Sequence, residues 1–163
     1  MEIIIFVGLQ ASGKSTFYRT HFAATHEHVS KDLLIKSKNM NKNQQQAERI
    51  ERAFQEQRSI VVDNTNPTLQ DRLPLIDLGR RYGATIIGYY FQPEISSSRK
   101  RNMQRTGKEQ VPEKAIFITA HRLMPPSYAE GFDTLYYVCI GEDSTIENPV
   151  WEIEKIPFKE IED

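Results

Sequence analysis

Short apolar runs rich in β-branched residues alternate along the chain with longer stretches in which apolar positions recur at helical spacing. Ile3-Ile4-Ile5-Phe6-Val7 and Ile60-Val61-Val62 are unbroken, as strands covered on both faces require. The pattern predicts about five strands, near residues 2–7, 27–30, 59–63, 84–91 and 134–140. Between them it predicts helices over Lys14–Ala24, Lys42–Gln57, Leu69–Tyr82, Glu94–Arg105 and Pro112–Met124. Strand and helix in alternation build βαβ units, so the fold class is α/β, a parallel sheet with helices on both faces. Local chemistry agrees. Pro112 suits a first helical position, Asp71 puts negative charge at a helix start, and Gly83 suits a left-handed cap, while Pro74 falls near the first turns of its helix. The polar stretch Ser37–Gln46 is expected to begin as a loop that moves or covers substrate. The tail carrying Trp151, Ile153, Ile156, Phe158 and Ile161 is expected to be a final edge strand or an extended arm packed on the core.

With 163 residues and 39% hydrophobic content, the chain is sized for one core, and a single domain over 1–163 is expected. A formal net charge of −1 provides no whole-molecule field, so any site for a polyanion must be a local cluster of Lys and Arg. The lone Cys139 has no partner for an internal disulfide and suits a buried thiol in a reducing cytoplasm. No apolar run approaches the roughly 18 residues of a membrane span, and Met1-Glu2 leads directly into the first strand without a basic leader. A soluble, cytoplasmic protein with no membrane association is expected. His21, His26, His28 and His121 lack the spacing of zinc ligands and are assigned no chemistry. Nothing in the sequence specifies an oligomeric state.

The most informative segment is Gly8-Leu9-Gln10-Ala11-Ser12-Gly13-Lys14-Ser15-Thr16, a G-x-x-x-x-G-K-S/T loop placed directly after the first strand. Backbone N–H groups from Gly8 to Thr16 can ring a triphosphate, the Lys14 ammonium reaches its β and γ oxygens, and the Ser15 hydroxyl binds magnesium. ATP and Mg2+ are therefore the expected cofactors. Asp32 follows the second strand, at the carboxyl edge where an open α/β sheet places its active crevice. It suits a general base for an attacking hydroxyl, and equally an N-cap for a helix beginning at Leu33. Asp63 ends the third strand. It can hold magnesium, and Asn64 and Asn66 can bond phosphate or substrate oxygens, although Asp63-Asn64-Thr65-Asn66-Pro67 is also ordinary turn chemistry.

Arg99, Lys100, Arg101, Arg105 and Lys108 crowd the segment around 94–112. Arg101 and Arg105 are spaced to share a helix face and can close over the triphosphate as a helical lid, each offering a planar donor fork. The plainer reading is a solvated basic face. Tyr89, Tyr90 and Phe91 read as core, with the alternative that one of them flanks a base.

Taken together, the loop Gly8–Thr16, Ser30-Lys31-Asp32, Asp63-Asn64-Thr65-Asn66-Pro67, Arg101-Asn102-Met103-Gln104-Arg105-Thr106-Gly107-Lys108 with Val111-Pro112, and Tyr128-Ala129-Glu130-Gly131-Phe132 resemble the kinase domain of 5′-hydroxyl polynucleotide kinases. The likeness runs from residue 3 to about 140, and the motifs beyond the phosphate loop are the specific part of it. The resemblance implies a P-loop kinase fold in which Lys14 and Ser15 serve ATP and magnesium, Asp32 is the base that activates a 5′-hydroxyl end of DNA or RNA, and Arg101 and Arg105 are lid arginines. Ile35 stands where the bacteriophage pattern has an arginine, leaving Lys36 as the stand-in for contact with a substrate phosphate. Asp63-Asn64 replaces Ser-Asp of that pattern, so either residue can fill the functional slot. No phosphatase or ligase motifs accompany these, so a partner end-healing activity is expected on a separate chain.

Three functions remain open at this level: a 5′-hydroxyl polynucleotide kinase, a kinase of nucleosides, sugars or antibiotics on the same fold, and a nucleotide-binding module without transfer. Label transfer from ATP to an oligonucleotide, to a small acceptor, or to neither separates them.

Overall fold

The computed structural model describes residues 1–145 and 148–158. The strands are β1 (Glu2–Val7), β2 (Glu27–Val29), β3 (Ile60–Val62), β4 (Thr85–Phe91), β5 (Thr134–Ile140) and β6 (Trp151–Ile156). The helices are α1 (Lys14–His21), α2 (Lys42–Gln55), α3 (Leu69–Arg81), α4 (Ile95–Gln104) and α5 (Glu113–Arg122). The strands form one sheet in the order β2-β3-β1-β4-β5-β6. The first five run parallel and β6 lies antiparallel on β5, with Leu135 opposite Ile156 and Ile140 opposite Trp151. The expected tail thus takes its edge-strand form, and Ile161 lies outside the described residues.

β1 is central because it is apolar on both sides. Ile3, Ile5 and Val7 pack with Ile50, Phe54, Leu75 and Ile76 of α2 and α3, while Ile4 and Phe6 face Phe17 and Tyr18 of α1. Alternate side chains of a strand point to opposite faces, so this one segment belongs to both layers of the core. Phe6 meets the rings of Phe17, Tyr89 and Phe91 with centroids 5.2–6.1 Å apart, edge on. Phe91 is core as expected, whereas Tyr89 and Tyr90 are partly buried and lie against Tyr136 and Tyr137 of β5.

Helix ends follow from local chemistry with small shifts. Thr68 and Asp71 form a reciprocal cap on α3, and Gly83, at φ 72°, closes its far end. Pro74 is the sixth helical residue and exposed, so its missing donor falls on the solvent side. Pro112 sits one position earlier than expected, capping α5 and not opening it. α1 stops at His21, short of Ala24, because Phe22 leaves the helix to pack against the Phe6 and Phe17 rings.

In this strand order β2 and β3 lie on one side of β1 and β4 on the other. The loops leaving β1, β2 and β3 therefore open at one edge, beside the point where the winding reverses.

Candidate active site

The loop from Gly8 to Gly13 joins β1 to α1. Gly13 is left-handed at φ 92°, and Ala11 holds φ 56°, a conformation that strains a residue with a Cβ. The Gly8 N–H donates to Thr65 O at 3.0 Å, which fastens the loop to the segment after β3. Lys14 is buried, and its ammonium donates to the carbonyls of Gly8 (3.2 Å) and Leu9 and to Ser12 Oγ (3.4 Å). Burial pulls Lys14 down from its ordinary value of 10.5 to about 8, with Asp63 and Asp32 opposing the shift and Arg105 adding to it. Gln10 donates to Thr119 Oγ1 of α5 at 2.9 Å, which ties the loop to that helix. Thr16 lies a turn further on, where its hydroxyl accepts from Arg19 at 3.0 Å.

Asp63 follows β3, buried, and Oδ2 receives two donors at 2.8 Å, Ser15 Oγ and His28 Nε2. Burial alone would raise this carboxyl. The His28 hydrogen bond, the Lys14 charge and the Ser15 hydroxyl outweigh it and hold Asp63 below the usual carboxylate range. His28 in turn stacks on Tyr18, centroids 4.0 Å apart and nearly parallel. The sequence reading gave His28 no chemistry; its signal was its place on β2, one strand from Asp63. A serine hydroxyl and an ionised carboxylate are hard oxygen donors that fit Mg2+. Ser15 and Asp63 are the residues here that would hold the ion.

Asp32 stands in a short 3₁₀ turn, Lys31–Leu33, after β2. The residue that caps this turn is Ser30, whose side chain accepts from Asp32 N at 3.3 Å, so the capping alternative for Asp32 falls away and its carboxylate is left exposed. Asn64 holds the turn in place: Oδ1 accepts from Lys31 N at 2.9 Å, while Nδ2 donates to Gln46 Oε1 of α2 at 2.6 Å. Asn66, expected on the substrate side, is instead buried with φ 42°, and its amide donates to Phe6 O at 2.8 Å. Its role here is to pin the loop to β1. Ile35 and Lys36 are both exposed in the following loop, where Gln45 donates to Ile35 O and Met40 O.

The lid expected over 94–112 comprises α4 and a 3₁₀ turn at Gly107–Glu109. Asn102 closes it, donating to Val111 O at 2.8 Å and accepting from Val111 N at 3.0 Å. Arg101 reaches back to the phosphate loop, donating to Ala11 O at 3.2 Å. Burial pulls its guanidinium down from the ordinary value, with Glu94 opposing and Arg105 adding to the shift. Arg101 and Arg105 line a cavity of about 400 Å³ together with Ala11, Gly13, Ile140 and Trp151. Trp151 Nε1 is buried there without a hydrogen-bond partner among the described residues. Neither Tyr89 nor Tyr90 lines this cavity, so β6 and not β4 supplies its aromatic wall.

Arg72 of α3 also escaped the sequence reading. It is 1% exposed, and its fork pairs with Glu130 at 2.6 and 3.2 Å while Nη1 donates to Asn66 O and Met124 O, both at 3.0 Å. One side chain thus joins the loop after β3, the end of α5 and the Tyr128–Phe132 segment.

Sheet order, phosphate loop and lid together define a P-loop protein with the kinase-type fold. Residues 3–125 match the AAA_33 family, described as an AAA domain, and the chain belongs to that family. A bifunctional polynucleotide phosphatase/kinase of Schizosaccharomyces pombe is 30% identical over 99% of this chain, which covers 35% of that protein. A putative bifunctional polynucleotide phosphatase/kinase of Acanthamoeba polyphaga mimivirus is 25% identical over 98% of the chain and 38% of its own length. The chain thus spans little more than a third of these relatives. Among solved structures, Chaetomium thermophilum Kti12 with ADP-AlF3 has a TM-score of 0.62 at 16% identity, covering 90% of this chain and 92% of its own. A fungal RNA kinase has a TM-score of 0.61 at 15% identity over 88% and 78%. A sugar kinase from Janibacter sp. has a TM-score of 0.59 at 11% identity over 85% of each. At these identities the likeness is one of fold.

Proposed function

We propose that this chain is an ATP-dependent kinase that transfers the γ-phosphoryl group to a 5′-hydroxyl end of DNA or RNA. The observation that carries the reading is geometric: Asp63 accepts from Ser15 of the phosphate loop at 2.8 Å, Asn64 beside it holds the turn of Asp32 through Lys31 N at 2.9 Å, and Arg101, which donates to Ala11 O, lines one cavity with Arg105, Ala11 and Gly13. In this reading Asp32 is the base, Asp63 the metal carboxylate and Arg105 a lid arginine, gathered around the phosphate loop. The naming of the curated relatives as polynucleotide phosphatase/kinases supports the acceptor class.

In this reading the N–H groups of Gln10–Ser15 cradle the triphosphate, and Lys14 exchanges its loop carbonyls for β and γ oxygens. Ser15 and Asp63 hold Mg2+, which when bound neutralises charge on the β and γ phosphates. His28 keeps Asp63 oriented. Arg101 and Arg105 donate to the transferring group from the lid side, and base and ribose occupy the cavity beside Trp151 and Ile140, where the unpaired indole N–H offers a donor. Asp32 accepts the proton of the 5′-hydroxyl as its oxygen bonds to the γ phosphorus, ADP departs, and Asp32 returns the proton to solvent.

The test is transfer of label from γ-labelled ATP, with Mg2+, to 5′-hydroxyl DNA and RNA oligonucleotides beside nucleosides and sugars. Label on the oligonucleotides supports the reading, and label confined to a small acceptor overturns it.

A further inference from the structure

Between Ile95 and Arg122 the chain carries seven Lys and Arg against two Glu, although its net charge is −1. Arg101, Arg105 and Lys100 line the cavity beside the phosphate loop. Arg99, Lys108, Lys114 and Arg122 do not line it. α5 buries Ile116 and Thr119, and at its helical period the exposed positions opposite them are Lys114, Phe117, Ile118, His121 and Arg122. Phe117 and Ile118 are 45% and 54% exposed, and the Arg99 guanidinium lies over the Phe117 ring, 5.5 Å from its centroid. The single acid at the start of the helix, Glu113, is paired with Arg99. A half-exposed ring with a guanidinium over one face, beside an aliphatic side chain and between Lys114 and Arg122, is matched to stacked bases on a phosphate backbone.

The helix is placed for this role. It follows the lid directly, through Val111 held by Asn102, and it ends at Met124, whose N–H donates to Pro67 O at 2.8 Å. Its ten residues thus span about 15 Å from the lid to the loop that carries Asp63 and Asn64.

We infer that the outward face of α5 is the track for the acceptor strand beyond its first nucleotide, and that it selects a single-stranded polynucleotide over a free nucleoside. Within a duplex, bases are already stacked on both sides and only an end pair has an open face, which is why the apolar pair favours a single strand over a duplex. The inference rests on the 5′-hydroxyl kinase reading and deepens it.

Two measurements test it separately from that reading. Fluorescence anisotropy of a labelled single-stranded dodecamer, independent of catalysis, compares the intact chain with K114E/R122E and F117A. Each variant is expected to bind about tenfold more weakly, and K114E/R122E to show a shallower salt dependence. In the transfer assay KM for the acceptor is expected to fall from dinucleotide to dodecamer in the intact chain, with the variants losing this gain while keeping KM for ATP and the dinucleotide rate. Unchanged dodecamer binding in both variants overturns the track, whether or not transfer occurs. Absence of transfer to every 5′-hydroxyl acceptor overturns the kinase reading instead, and is read from the other assay.

Discussion

Ser15 Oγ donates to Asp63 Oδ2 at 2.8 Å, joining the first turn of α1 to the end of β3 across 48 positions of sequence. The bond aligns the two hard oxygens suited to Mg2+, and His28 approaches the same carboxylate oxygen. Replacing Asp63 by Asn keeps the volume and removes the charge. The variant is expected to need at least tenfold more Mg2+ for half-maximal transfer, read from a magnesium titration at saturating ATP.

Lys14 carries the clearest pH dependence. Its folded-state value of about 8 lies below the ordinary 10.5, chiefly through burial. ATP affinity is therefore expected to weaken as pH rises through about 8, because the free protein loses the ammonium that the triphosphate requires. The stability of the nucleotide-free protein responds oppositely: between about 8 and 10.5 the unfolded chain binds the proton and the folded one does not, so this group's contribution rises with pH. Titrations with a non-hydrolysable ATP analogue on either side of pH 8 check the first, and denaturant unfolding over the same range the second.

Arg105 caps the end of α4 and lines the cavity beside the phosphate loop. Arg105→Ala is expected to lower kcat by about 10³ or more, with a much smaller change in ATP affinity, since such an arginine acts on charge that develops during transfer. Single-turnover kinetics with an independent binding measurement separate the two effects.

Arg72 and Glu130 form a buried pair with side chains 1% and 8% exposed. Glu130→Gln leaves the guanidinium without its counter-charge and is expected to cost about 3–5 kcal/mol of unfolding free energy. Denaturant unfolding reads this directly. A cost under 1 kcal/mol would mean that the carbonyls of Asn66 and Met124 suffice to hold Arg72.

What could be read from the chain was what short-range chemistry encodes. The apolar run Ile3–Val7, the phosphate loop behind it, the cap at Gly83 and the limits of β5 all depend on residues a few positions apart. The sequence of Trp151–Ile156 fits an edge strand and an extended arm equally, because an edge strand is decided by its partner, here β5. His28, Arg72 and Gln46 were missed for the same reason. Each acts through a partner distant in sequence, His28 on Asp63, Arg72 on Glu130 and Gln46 on Asn64. Asn66 went the other way: its residue type suits substrate contact, but folding turns its amide toward Phe6 O. The Tyr128–Phe132 motif, noticed as a resemblance, has its physical reason in the Arg72 pair.

The measurement that bears most directly on the account is γ-phosphoryl transfer from labelled ATP to a 5′-hydroxyl oligonucleotide by Asp32→Asn, alongside its affinity for an ATP analogue. Because the Asp32 side chain is exposed and makes no hydrogen bond among the described residues, the substitution removes the carboxylate and disturbs little else. Transfer is expected to fall by about 10²–10⁴ with ATP affinity nearly unchanged. Full transfer by the variant would contradict the assignment of Asp32 as the base.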